Sequence, residues 1–327
     1  MASRYIQREN KINVQKARYI INTVLILNHQ HVKCGVYQFG LRVYNLVADS
    51  TKVNYIYKDI SNREEYLKYV SEIKPNYIIY NYHWDRMPWL RIEDITGNKN
   101  AKHYFIYHDG SIFSVYDKYL MFGNYAPFGE NVPEDKKIIL PRPLFKYQGE
   151  YKKNEFPTIG SFGFAFNIKR FPELVVLVNN TFAHEKAILN IHLTQAYFGD
   201  IPGHEIKRIV ERCIQNNDSK RITLNITTHF ISNEELLTLL AGNDINVLNY
   251  APVVQFGLSA ATDYLLSVKR PIALADNSLF RHIISKEISL EYNNIKTIMQ
   301  NGIKPLQCLY DKWSTDKFES EMEKLFI

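Results

Sequence analysis

Two segments of the chain carry residue types suited to holding an anion. The first, TIGSFGFAFNIKR from Thr158 to Arg170, reads as a strand running into Gly160 and Gly163. It then passes Asn167 and the basic pair Lys169–Arg170 ahead of a helical pattern. Glycine lets a backbone approach a ligand closely, and a neighbouring Lys or Arg neutralises phosphate. The second, DINVLNYAPVVQFGLSAATDYLLSVKRPIALA from Asp244 to Ala275, reads as a buried strand and a loop carrying Gln255, Gly257 and Leu258. A helix follows, opening at Ser259 with Asp263 one turn in, and another strand comes after Pro271. A helix N-terminus behind a small-residue loop offers unpaired N–H groups at the positive end of its dipole, which suits phosphate. Neither segment is a Walker loop or a GxGxxG fingerprint.

Three further clusters lie where strands end. HQHVKCGVYQFG, from His29 to Gly40, links a strand to a helix and brings Gly35 together with His29, His31 and Lys33. Asn81-Tyr82-His83-Trp84-Asp85-Arg86 closes another strand, and His108-Asp109-Gly110 closes the next. Ligands in open α/β sheets sit at the carboxyl ends of strands. His83, Trp84 and Asp85 are therefore the candidate acceptor-binding residues: Trp84 by stacking, His83 and Asp85 by handling a proton.

Alternating strand and helix patterns must position these groups. The first half reads as strands at Ile20–Leu27, Val53–Tyr57, Tyr77–Tyr80, Tyr104–Tyr107 and Lys137–Leu140, with helices at Val36–Leu46, Arg63–Ile73 and around Ser114–Tyr119. The second half reads as strands at Thr158–Gly160, Ala187–Ile191, Ile222–Ile226, Asn246–Leu248 and Pro271–Leu274. Its helices fall at Phe171–Val178, His204–Gln215, Asn233–Leu240, Ser259–Leu266 and Leu279–Ile284. Pro141-Arg142-Pro143 and a polar run closed by Pro157 separate the halves. The expected domains are residues 1–145, residues 146–305, and a helical segment 306–327 that crosses back onto the first. A chain of 327 residues is long enough for two domains of about 150.

Composition narrows the function. Hydrophobic residues at 46% are those of a folded protein. A net charge of +6 suits an anionic substrate or weak attraction to a membrane surface, and it falls short of a dedicated nucleic-acid binder. Three widely spaced cysteines without a CxxC argue against zinc or a disulfide framework and point to a reducing, cytoplasmic setting. The apolar run after the basic first eighteen residues is too short to span a bilayer.

Taken together, the two glycine-containing segments resemble the donor half of GT-B glycosyltransferases, particularly the large retaining family 4. There, an IGxFG…K-(G/R)-F stretch opens the C-terminal domain, and a DI-x-V…FG-x-S stretch ends the nucleotide-sugar pocket. The resemblance implies an α/β GT-B architecture: two Rossmann-like domains whose parallel sheets face each other across a cleft. It implies a glycosyltransferase that moves a sugar from a nucleotide-diphosphate sugar to a glycan, lipid-linked or other hydroxyl acceptor, with retention, without metal and without a cofactor. Carried over residue by residue, the catalytic set is Lys169, His108 and Asp109. The donor set is Gly35, Gly163, Arg170, Thr228, Gln255, Gly257, Leu258, Ser259 and Asp263, with Asp263 on the ribose and Thr228 beside the nucleobase. The chain departs from the family at two places. Phe164 or Ala165 stands near an expected Arg, for which Arg170 or Arg142 would compensate. Val254 and Thr262 stand where many members carry paired glutamates. The basic pI of about 8.9 and the AT-rich composition leave room for a viral-type DNA-modifying glycosyltransferase, and the missing glutamates for a non-catalytic GT-B-like scaffold.

Overall fold

A computed structural model describes residues 21–108, 115–123, 132–195, 203–253 and 257–327. The basic N-terminal arm, Asp109 and Gln255 lie outside the described residues. The order is β1 (Thr23–His29), α1 (Gly35–Val47), β2 (Asn54–Ile60), α2 (Arg63–Ile73), β3 (Tyr77–Tyr80), α3 (Ile92–Gly97), β4 (Lys102–Ile106), β5 (Lys118–Phe122) and β6 (Lys137–Leu140). After the linker come β7 (Thr158–Phe164), α4 (Phe171–Thr181), β8 (Ala187–Thr194), α5 (His204–Asn216), β9 (Ile222–Thr227), α6 (Asn233–Ala241), β10 (Ile245–Leu248), α7 (Ala261–Ser267) and β11 (Ile272–Leu274). Three helices close the chain: α8 (Ile295–Asn301), α9 (Gln307–Lys312) and α10 (Thr315–Lys324).

The strands form two sheets, β2-β1-β3-β4-β5-β6 and β11-β10-β7-β8-β9, and every pairing is parallel. Central strands read as continuous apolar runs because helices cover both faces of a parallel sheet. Val24 to Leu27 and Ile78 to Tyr80 have no exposed surface. The same logic corrects one expectation. The helix read around Ser114–Tyr119 gives way to β5, whose buried Tyr119 to Phe122 run sits between β4 and β6. Ser259 does not cap a helix either. The cap residue of α7 is Ala260, and Ser259 instead accepts a hydrogen bond from the Thr262 hydroxyl at its backbone oxygen (2.7 Å). The expected helix Leu279–Ile284 is a single 3-10 turn, Ser278–Phe280, while α3 and α8 were not foreseen.

Two features join the halves. The last helix and the residues after it pack on the first sheet: Phe318 and Met322 of α10, and Phe326 beyond it, enter the core made by Val43, Val47, Tyr55, Ile79 and Leu140. The Phe326 ring lies 5.0 Å from Tyr77 and 5.4 Å from Tyr104. Glu323 ties it down through Ser50 and Lys52, each at 2.6 Å. The second feature is ionic. Asp263 on α7, fully buried, takes Arg142 from the linker in a two-pronged contact at 2.7 and 2.6 Å and also pairs with Arg42 of α1. This is the correction for Asp263. Its carboxylate is consumed by two guanidinium groups and has no surface left for a ribose.

Leaving two buried cations without their shared anion is costly. Asp263→Asn is therefore expected to destabilise the fold by about 3–5 kcal/mol. Phe318→Ala should cost about as much by opening a cavity. Denaturant titration of both variants checks these values, and a loss under about 1 kcal/mol for Asp263→Asn would contradict a bridging role.

Candidate functional site

Two adjoining cavities lie between the sheets. One, of about 200 Å³, is walled by Gly35, Gln38, Phe39 and Arg42 from the first half. Its other wall comes from the second half, including Gly163, Lys169, His192, Phe230, Asn233 and Ser259. The other cavity, of about 250 Å³, is walled by Tyr82, His83, Tyr107, His108, Arg142 and Leu258. Gly35, Phe39 and Ala260 border both. A Cβ added to Gly35 would meet nothing within 4 Å among the described residues, so they leave the space above this helix-opening residue open.

The first cavity is the cationic one. Strand β7 ends at Phe164, and a 3-10 turn, Asn167–Lys169, then swings Lys169 back over the strand. Gly163 makes this turn feasible: at φ +147° it adopts a backbone that side-chain-bearing residues rarely take, and the Lys169 stem lies just beyond it. The Lys169 ammonium donates to the Tyr250 hydroxyl and sits 3.7 Å from the Tyr250 ring centroid. It has no carboxylate partner among the described residues, and burial pulls its pKa down to about 7. A partly desolvated cation of this kind gains most from an incoming anion. His192 is buried at the same wall, held by Thr227 (2.8 Å) and Thr194 (3.3 Å), and burial followed by His229 keeps it neutral with a pKa of about 4.

The second cavity is built on a fixed set of hydrogen bonds, with Arg142, already paired with Asp263, in its wall. Asn81 donates to Asn28 Oδ1 (2.8 Å) and to the Val36 carbonyl (2.7 Å), which leaves Asn81 Oδ1 to accept from His108 Nε2 (2.7 Å). His108 is thereby the Nε2–H tautomer with a free Nδ1 lone pair. Burial first, then Arg142, His83 and His29, hold its pKa well below the ordinary value. The halves touch at this point, since a Cβ on Gly257 would come within 2.9 Å of the His108 carbonyl oxygen.

Lys169, Gly163, Ser259 and Gly35 meet in the first cavity, and His83, His108 and Leu258 in the second, while Gly257 sits at the contact between the halves. Others fall elsewhere. Arg170 is the left-handed residue capping α4 (φ 52°) and does not line the cavity. Thr228 is exposed, and the wall nearby is made by Phe230 and Ile231. Trp84 is 61% exposed and stacks beside His83, and Asp85 pairs with Arg86 at 3.4 Å. Lys33 lies 6.0 Å from the Phe230 ring, and burial together with His83, His31 and Arg86 lowers the pKa of His29 to about 3. Arg42, His192, Phe230 and Asn233 were missed because no local motif marks them. A wider groove of about 690 Å³ beside β9 and α6 offers less chemistry. Its Asn225 and Asn190 are already engaged in a relay that runs on through buried Asn243 to Asn246, each step 2.9 Å. No group of three His, Cys, Asp or Glu among the described residues could hold a metal ion, and no described helix is long and apolar enough to cross a membrane.

No family model and no curated protein sequence matches the chain. Solved structures do. HepE of Anabaena, in complex with UDP and glucose, aligns with a TM-score of 0.60 at 10% identity, covering 93% of this chain and 99% of that one. A glycosyltransferase from Rickettsia africae aligns at 0.57 and 12% identity, covering 94% and 93%. A TarM variant of S. aureus, in complex with Fondaparinux, alpha-GlcNAc-glycerol and UDP, aligns at 0.54 and 14% identity, covering 80% of this chain and 58% of that one. The chain has the GT-B fold, two Rossmann-like domains with parallel sheets across a cleft.

A diphosphate bound beside Lys169 should restore its charge. Binding is then expected to take up close to one proton at about pH 8, and affinity should fall as pH rises through about 7. Calorimetry of nucleoside diphosphate binding in buffers of different ionisation enthalpy measures this uptake, and Lys169→Met should abolish it.

Proposed function

We propose that the chain is a glycosyltransferase that moves a sugar from a nucleotide-diphosphate sugar to a hydroxyl of a glycan, lipid-linked or other acceptor, with retention and without metal. One observation carries the reading: Lys169 is a desolvated cation with no carboxylate partner among the described residues, and it faces a cavity between two GT-B halves. In the transfer, the bond between the anomeric carbon and the diphosphate oxygen breaks while the acceptor oxygen bonds to that carbon, and the acceptor hydroxyl's proton passes to the departing diphosphate oxygen. The departing diphosphate carries the negative charge, and a fixed ammonium lowers the barrier by meeting charge as it develops. The ligands of the structural neighbours, UDP with glucose in HepE and UDP in TarM, support a nucleotide-sugar donor.

In this reading Gly163, Lys169 and Ser259 hold the diphosphate, with Gln255 and Gly257 in the adjoining loop. Phe230 and Asn233 border the nucleobase end. The acceptor enters through the second cavity past His83, Trp84 and His108, where the free Nδ1 of His108 accepts a hydrogen bond from a sugar hydroxyl. Asp109, next in sequence, keeps the catalytic role the resemblance implies.

Removing one charge-assisted contact to a leaving group costs roughly 2–4 kcal/mol, so Lys169→Ala should lose about a hundred- to a thousand-fold in kcat. Turnover should survive EDTA, because cations of the protein meet the leaving-group charge. A donor panel with sugar release as readout tests all of this. Near-normal turnover in Lys169→Ala removes that residue's role, and a metal requirement removes the metal-free mechanism. Binding of neither a nucleotide sugar nor a nucleoside diphosphate at millimolar concentration leaves a non-catalytic scaffold. Transfer to duplex DNA alone would identify the DNA-modifying class.

A further inference from the structure

The ionic cluster between the halves is out of balance. Asp263 brings one negative charge to two guanidinium groups, so the buried triad keeps one positive charge in excess. The two arginines differ in how well they are satisfied. Arg142 directs Nε and Nη2 at both carboxylate oxygens (2.7 and 2.6 Å) and Nη1 at the Phe122 carbonyl (3.4 Å). Arg42 reaches Asp263 through Nη2 alone, and its Nε and Nη1 are buried with no hydrogen-bond partner among the described residues. Among the described residues, the Tyr264 side chain also interacts with Arg42 through its polar end, and the faces of Phe39, Phe145 and Tyr264, 4.9 to 5.3 Å from its Cζ, answer the rest of the charge. A guanidinium 1% exposed with two idle donors is an expensive arrangement unless something completes it.

The location of Arg42 indicates what completes it. Arg42 forms part of the wall of the cationic cavity, the one it shares with Lys169, Gly163 and Ser259, and not of the cavity bearing His83 and His108. We propose that Arg42 is a second cation of the donor site, supplied by the N-terminal half and acting on the diphosphate of the nucleotide sugar from the side opposite Lys169. Asp263 is then a positioning residue: it orients Arg42 through one Nη while Arg142 neutralises it. The diphosphate completes the charge balance of a cluster that spans both domains, so donor binding also draws on the interaction that joins them. This inference rests on the donor reading given above for the same cavity.

The charge arithmetic makes the test clean, because removing Arg42 leaves a neutral Asp263–Arg142 pair and not a stranded ion. Wild type, Arg42→Met, Arg42→Gln and Arg42→Lys would be titrated by calorimetry with UDP, GDP, ADP and dTDP and with the corresponding nucleosides. The Met and Gln variants should bind the preferred nucleoside diphosphate about 10- to 100-fold more weakly, the size of one charge-assisted contact, with nucleoside affinity unchanged. The Lys variant should recover most of the loss, and Gln provides the readout if Met fails to fold. Undiminished diphosphate affinity, an equal loss for diphosphate and nucleoside, or no recovery in Arg42→Lys would overturn the role of Arg42 while leaving the donor reading standing. A wild type that binds none of the four nucleotides would overturn both.

Discussion

The buried carboxylate of Asp263 is the constraint on which the cleft depends. It stands on α7 of the second half, yet both its partners come from outside that half: Arg42 on α1 and Arg142 in the linker. Desolvating three charges costs several kcal/mol per ion, and an apolar cluster of equal volume would hold the halves at least as well. What the forked contact adds is direction. Two parallel N–H bonds from Arg142 fix the angle between the linker and α7, and through α7 the position of the loop before it. That loop brings Gly257 against the His108 carbonyl and Ser259 to the wall opposite Gly35. The apolar docking of α10 supplies strength without such precision.

The cleft so defined is chemically two-sided. On the side of His108 every amide is committed: Asn28 and Asn81 bind each other, the α1 backbone and the imidazole, and Gly40 gives them room by lacking a Cβ. Burial holds the imidazoles of His29 and His108 far below their ordinary pKa, so both stay neutral through the physiological range and charge only in strong acid. The other side carries cationic groups that are incompletely satisfied, and Lys169 titrates near neutrality. A fixed hydrogen-bonding surface whose one described arginine, Arg142, is already paired with Asp263 suits a sugar hydroxyl, and an under-neutralised one suits a diphosphate. The cost of the second surface, in partnerless buried donors, is what folding on its own would have removed.

Most of the fold was legible because its signals are local. Tyr77–Tyr80, Lys137–Leu140 and Arg63–Ile73 fall where apolar runs and caps put them, and the Ser232/Glu235 capping box opens α6. The glycine-and-lysine turn at Gly163–Lys169 was legible for the same reason. Asp263 was not. A carboxylate in the first turn of a helix reads as a ligand contact, but its partners lie 121 and 221 residues away, and no spacing rule reaches that far. Arg42 was hidden likewise inside an amphipathic helix, where an arginine ordinarily faces solvent. β5 was misjudged because four buried residues are too few for periodicity to separate strand from helix.

Three glycines border the site, and each is glycine for a different reason. Gly163 needs its backbone geometry, and a side chain there would be strained whatever the space around it. Gly257 needs clearance, since a methyl group would press on the His108 carbonyl and part the two halves. Gly35 meets neither requirement: it opens α1 with ordinary helical geometry, and a Cβ on it would stand in open space between the two cavities. No described residue crowds that position, so the space is open to what passes over it. Gly35 borders both cavities together with Phe39 and Ala260, and the bond between diphosphate and sugar would lie near it for the two surfaces to act on the same molecule.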